Sequence, residues 1–155
     1  MKRHALAALL ALTAAPAVAA DPHTHPMPTQ DTRAFLDLSA AERAALLEEM
    51  HLFLDGVGRI TAAIAKADMQ AVAAVARPLG PQMSHTMPAS LRGKLPMPFR
   101  EHAQGLHGAF AEMALDAESL NDPNHALAQL AATLQKCSAC HRTYQIRVVD
   151  GHVGH

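Results

Sequence analysis

Cys137-Ser138-Ala139-Cys140-His141 sets two thiols three residues apart, with an imidazole directly behind the second. This C-x-x-C-H spacing is the attachment signature of c-type haem. Two thiols one helical turn apart can each form a thioether to one vinyl group of a single macrocycle. The adjacent imidazole is then presented to the iron from one side. Other chemistries share parts of the pattern. Two cysteines in an oxidising compartment can pair as a disulfide. A redox-active C-x-x-C is another use, although such pairs sit near a βαβ pattern. A structural zinc ion wants four ligands, and these two cysteines are the only ones in the chain.

The composition narrows what can carry the motif. The chain has 155 residues, enough for one domain. Half of it is apolar, yet it holds only four Phe, one Tyr and no Trp. Ala and Leu supply the hydrophobicity, which suits helix-on-helix packing better than a sandwich rich in β-branched and aromatic residues. Charged residues make up 17% and the formal net charge is −1. That excludes a nucleic-acid binder, which needs clustered Lys and Arg to neutralise phosphates. Against two Cys stand 11 His and 8 Met, so imidazole and soft ligands are plentiful. No nucleophile–base constellation stands out, and no enzyme is expected.

Residues 1–20 read as a secretory signal peptide. Lys2, Arg3 and His4 form a positive start, Ala5 to Val18 an apolar run, and Ala17-Val18-Ala19 or Val18-Ala19-Ala20 a small-residue cleavage site. The run is shorter than the roughly 20 residues that span a bilayer. Cleavage removes Lys2 and Arg3, taking the net charge from −1 to −3. The mature protein is then expected to be exported, in a bacterium to the periplasm, with no membrane span after cleavage. Residues 21–38 read as a flexible lead-in, Pro-rich at first. His23 follows Pro22, which has no amide proton to yield to a copper clamp.

The expected fold class is all-α: an antiparallel four-helix bundle over residues 39–148, with 149–155 as a tail. Ser39 and Glu42 match a capping box that starts the first helix. Leu47, Met50, Leu54, Val57, Thr61 and Ile64, widened by Leu46, Phe53 and Ile60, fall within an arc of roughly 140°. Asp68 caps a shorter second helix through Val72, Val75 and Ala76, ending near Pro78 and Gly80. From Pro81 to Pro98 the Pro- and Met-rich chain is an irregular crossover. A third helix then carries Phe99, Ala103, Leu106, Phe110, Met113 and Ala117 on one face. Asn121-Asp122-Pro123 caps a fourth that runs to the Arg147 region, with Leu127, Leu130, Leu134, His141 and Val148 as its stripe.

Four helices, a long crossover between the second and third, and the C-x-x-C-H close to the C-terminus together resemble the class II c-type cytochromes, the cytochrome c′ family. The resemblance covers nearly the whole mature chain. The motif is shared by all c-type cytochromes; its place late in the fourth helix is particular to this family. The resemblance implies one covalent haem c, with Cys137 and Cys140 as thioether attachments and His141 as axial iron ligand. It implies that Tyr144 is the aromatic that often follows three residues later. It also implies that the first helix crosses the opposite haem face. Met50 stands at the place resembling the family's distal position, where Met can ligate iron and give a six-coordinate low-spin centre; Met/His ligation raises the reduction potential. His51 is the rival ligand, 100° round the helix. The family often has Arg after the aromatic and Arg four residues before the distal position. This chain has Gln145 and Leu46, with Arg142, Arg147, Arg43 and Arg59 as candidate replacements. Homodimers are common in the family.

The expected function is a periplasmic monohaem electron carrier for redox partner proteins, with His141 and Met50 on the iron. The alternative is a five-coordinate haem protein that binds NO or CO. A third reading is a haem-free metal binder using His- and Met-rich segments such as Met83-Ser84-His85-Thr86-Met87. His102 and His107, five apart, are expected as boundary histidines with no joint metal site.

Overall fold

In a computed structural model, residues 30–85 and 87–149 are described. The chain order is β1 (Ala34–Leu38), α1 (Ala40–Ile64), α2 (Met69–Ala76), a 3-10 turn (Arg77–Leu79), α3 (Pro81–Ser84), α4 (Ala89–Lys94), α5 (Met97–Leu120), α6 (Pro123–Thr143) and β2 (Tyr144–Val148). The expected signal peptide and the first half of the lead-in lie outside the described residues, as do His152 and His155.

The helix starts follow from local chemistry. Ser39 and Glu42 form the capping box: the Glu42 amide donates to Ser39 Oγ at 3.3 Å and the Ser39 amide to Glu42 Oε2 at 2.8 Å. Asp68 accepts from the Ala71 amide, and Asp122 from Asn124 and His125. Asn121 ends α5 in the left-handed region at φ 51°, where Asn is tolerated better than most residues. The helix α1 packs on α2, α2 on α5, α5 on α6, and α6 on α1. The fold is therefore mostly helical, with four helices closed into a ring. Their shared core holds Ile60, Val72, Ala76, Phe110 and Met113, all at or near zero exposure. Phe53 stacks on Phe110 with ring centroids 5.4 Å apart.

Four expectations need correction. The fold is not purely helical, because β1 and β2 pair in parallel from Ala34↔Tyr144 to Leu38↔Val148. Residues 34–38 thus belong to the folded unit, not to a flexible lead-in: Leu36 and Leu38 are buried while Phe35 is half exposed. The fourth helix stops at Thr143, before Arg147. Tyr144, Ile146 and Val148 alternate with polar residues and find a partner strand, and β-formers at period two extend when an edge is offered. Arg147 stands opposite Asp37 in the register and grips it through Nε (2.6 Å) and Nη2 (2.7 Å), while its guanidinium lies 4.4 Å from the Phe35 ring centre. Finally, the crossover contains two short helices, α3 and α4, whose Met83 and Leu91 are anchored in the interior.

Candidate functional site

The apolar stripe of α1 turns out to serve two surroundings. Counting 100° per residue from Glu49, the buried residues Ala63, Gly56, Glu49, Ile60, Phe53 and Leu46 span about −40° to 60°. Met50, Leu54 and Val57 lie between about 80° and 140°, and these face a cavity of about 500 Å³. Leu54 is therefore 71% exposed despite its place in the stripe. On α6 the same division holds: Leu130 is buried in the core, whereas Leu134 is 42% exposed and lines the cavity. Leu127 and Val148, expected in the core stripe, are half exposed. The helix ends too early to carry Val148 inward.

Cys137, Cys140 and His141 line this cavity from the last two turns of α6, and Met50 lines it from α1. The expected site residues thus come together from helices far apart in sequence. Met50 is half-buried near the middle of the cavity-facing arc; His51 is exposed at its edge. A second cavity of about 400 Å³ shares Leu46, Met50, Phe99, Cys140 and His141 with the first and adds Arg33 and Arg43. Phe99 meets Tyr144 edge-on at 5.3 Å, behind the motif. Arg33 Nη1 approaches the His141 carbonyl at 3.5 Å.

Both thiols are free and half-buried. Burial pushes both upward in pKa, and for Cys140 the neighbouring Cys137 adds to it. Redox-active C-x-x-C pairs are tuned the other way, often at a helix N-terminus. Here the pair occupies the C-terminal end, where the helix dipole disfavours a thiolate. The donor set and its surroundings suit c-type haem: two thiols, an imidazole and a thioether line one space whose walls are mostly apolar. The volume is within the range of roughly 300–1,000 Å³ usual for cofactor sites.

Three lining residues gave no signal in the sequence. Arg92, Arg100 and Lys136 are exposed at the cavity, beside the histidines His51, His85 and His102. These three cations come from α4, α5 and α6, so no sequence spacing joins them. Such a cationic border suits carboxylates on a bound group. Of the candidate replacement arginines, Arg43 reaches the second cavity, Arg59 pairs with Asp55 and Arg147 is committed to Asp37.

His107 also needs correction, because it is 2% exposed and far from a boundary residue. One ring nitrogen lies 2.8 Å from the Leu79 carbonyl and the other 3.1 Å from Glu49 Oε1, itself buried. Burial opposes the charge on His107, but the Glu49 carboxylate and the Leu79 carbonyl together raise its pKa. Both residues were detectable as polar intruders at apolar spacings: Glu49 between Leu46 and Phe53, His107 between Ala103 and Phe110. The Met- and His-containing loop divides instead of converging: Met83 joins the main core, Met87 the cluster around Leu91, and His85 the cavity. Among the described residues no three His, Cys, Asp or Glu side chains gather as a metal group, and no helix is long and apolar enough to cross a membrane. The chain matches no family model, no curated protein and no solved structure.

Proposed function

We propose that the protein is an exported monohaem c-type cytochrome of the class II kind, carrying single electrons between periplasmic partner proteins. One observation carries the reading: the C-x-x-C-H thiols and imidazole share one apolar cavity with the thioether of Met50. Cys137 and Cys140 would hold haem c as thioethers, and His141 and Met50 would supply ligands to its iron. When bound, the haem supplies a one-electron iron couple, whose potential Met/His ligation raises. The chain's residues do the rest. Leu54, Val57 and Leu134 exclude water and lower the local dielectric, which tunes a buried couple. Arg92, Arg100 and Lys136 offer charge to acidic groups at the border. No group is required to move a proton, so the reading is a carrier and not an enzyme.

The apolar wall of Leu54, Val57 and Leu106 beside Met50 favours a second reading, a five-coordinate iron that binds NO or CO. The absorption spectrum of the exported protein decides between them, oxidised and dithionite-reduced, with and without carbon monoxide. The expected result is a sharp low-spin reduced spectrum indifferent to carbon monoxide. A broad high-spin spectrum that shifts with the gas would replace the carrier with the gas binder. Exported protein with no covalent haem would sink both.

A further inference from the structure

The stripe of α1 is so wide that apolar packing alone leaves the rotation of the helix about its axis poorly specified. Hydrophobic burial is non-directional, and a roll of some 40° would still bury Leu46, Phe53 and Ile60 while moving Leu54 to the angular place of Met50. Hydrogen bonds, by contrast, fix both distance and angle. Glu49 is bonded to His107 on α5, and His107 to the carbonyl of Leu79. Seven residues on, at nearly the same angular position, Gly56 meets the Leu79 side chain so closely that a Cβ there would collide with its Cδ1. Two points on one side of α1 are therefore tied to the same 77–79 turn.

We infer that the buried Glu49–His107 pair is a positioning device: it sets the rotation of α1 so that Met50, and no neighbouring side chain, faces the iron. The inference rests on the Met50 ligation proposed above. A stability role alone does not explain the pair, because well-packed apolar residues of similar volume commonly match or exceed a buried ion pair. Phe53 already lies against the His107 ring at 5.1 Å, so an aromatic ring fits that place. What an apolar pair would lack is direction. Glu49 and His107 are positioning residues, since neither is free to bind iron itself: His107 has both ring nitrogens engaged.

The test uses the haem-loaded protein and compares four forms. Wild type is read first: a high-spin spectrum overturns Met50 ligation and this inference with it. With a low-spin wild type, the double variant Glu49→Leu/His107→Phe is expected to keep covalent haem and its thermal unfolding midpoint, yet to lose more than half of its low-spin signal and to bind carbon monoxide when reduced. Glu49→Gln, whose amide can accept from a charged His107 ring or donate to a neutral one, is expected to retain the wild-type spectrum. A folded, haem-bearing double variant with an unchanged low-spin spectrum overturns the inference alone. So does loss of the low-spin signal in Glu49→Gln, which would make charge and not direction the cause. Should the double variant fail to fold, Glu49→Leu alone carries the same expectation, because His107 keeps its bond to the Leu79 carbonyl.

Discussion

The two ends of the helical ring are built from the same residue types and end in opposite states. Around Ile60, Val72, Phe110 and Met113 the apolar side chains bury one another and leave no exposure. Around Leu54, Leu134, Cys137 and Met50 they line an open cavity. Protein interiors are close-packed, and under the proposed function this apolar-lined space is where the haem would sit. The comparison separates two meanings of an apolar stripe. At the closed end the stripe is covered by protein; at the open end it lines a cavity of about 500 Å³. Composition and periodicity are blind to that difference.

The contrast can be broken or sharpened experimentally. The largest effect is expected from replacing Cys137 and Cys140 together with Ala: covalent haem disappears completely, read as loss of visible absorbance that survives acid extraction in wild type. The closed end should persist in that haem-free protein. There Phe110→Ala is expected to cost about 3–5 kcal/mol in urea unfolding, as for other fully buried aromatics. Leu54→Ala in the same background should stay within about 0.5 kcal/mol, since its side chain faces open space. Equal costs at the two positions would dissolve the distinction. Met50→Ala should leave haem attached and convert the low-spin spectrum to a carbon-monoxide-binding one.

The smallest effect concerns the strand pair. The Arg147 guanidinium holds the Asp37 carboxyl below the usual carboxylate range. A depressed folded pKa contributes above the unfolded value and is lost as pH falls through the folded one. Acidification below the ordinary range of Asp should therefore loosen β1 from β2. Amide exchange at Leu36 and Ile146 should report it before global unfolding, and Asp37→Asn should remove the pH dependence.

Much of this architecture was legible because its causes are local. Ser39 with Glu42, Asp68, and Asp122 before Pro123 are caps whose partners lie within three residues, and each starts a helix where expected. The motif Cys137–His141 was likewise readable, and the fold brings it to the same cavity as Met50. What escaped depends on distant partners. Neither five-residue strand is recognisable alone, because the edge that stabilises Ala34–Leu38 lies 110 residues away. The exposure of Leu54 could not be foreseen, since stripe membership says nothing of which neighbour covers a residue. Glu49 and His107 each show in the sequence only as a polar residue at an apolar spacing; that they satisfy each other depends on the fold.

The parallel pairing of β1 with β2 has a consequence for the order in which the molecule assembles. Bringing together segments 110 residues apart costs about 4 kcal/mol by simple loop-closure scaling in an unstructured chain. Helices nucleated by nearby caps form earlier and shorten that loop, as contacts of low sequence separation generally precede distant ones. Cys137 and Cys140 lie in the last two turns before β2, so their end of α6 is expected to be fastened late. The thiols would be open to modification during that interval, and closure of the strand pair would then fix the backbone around His141.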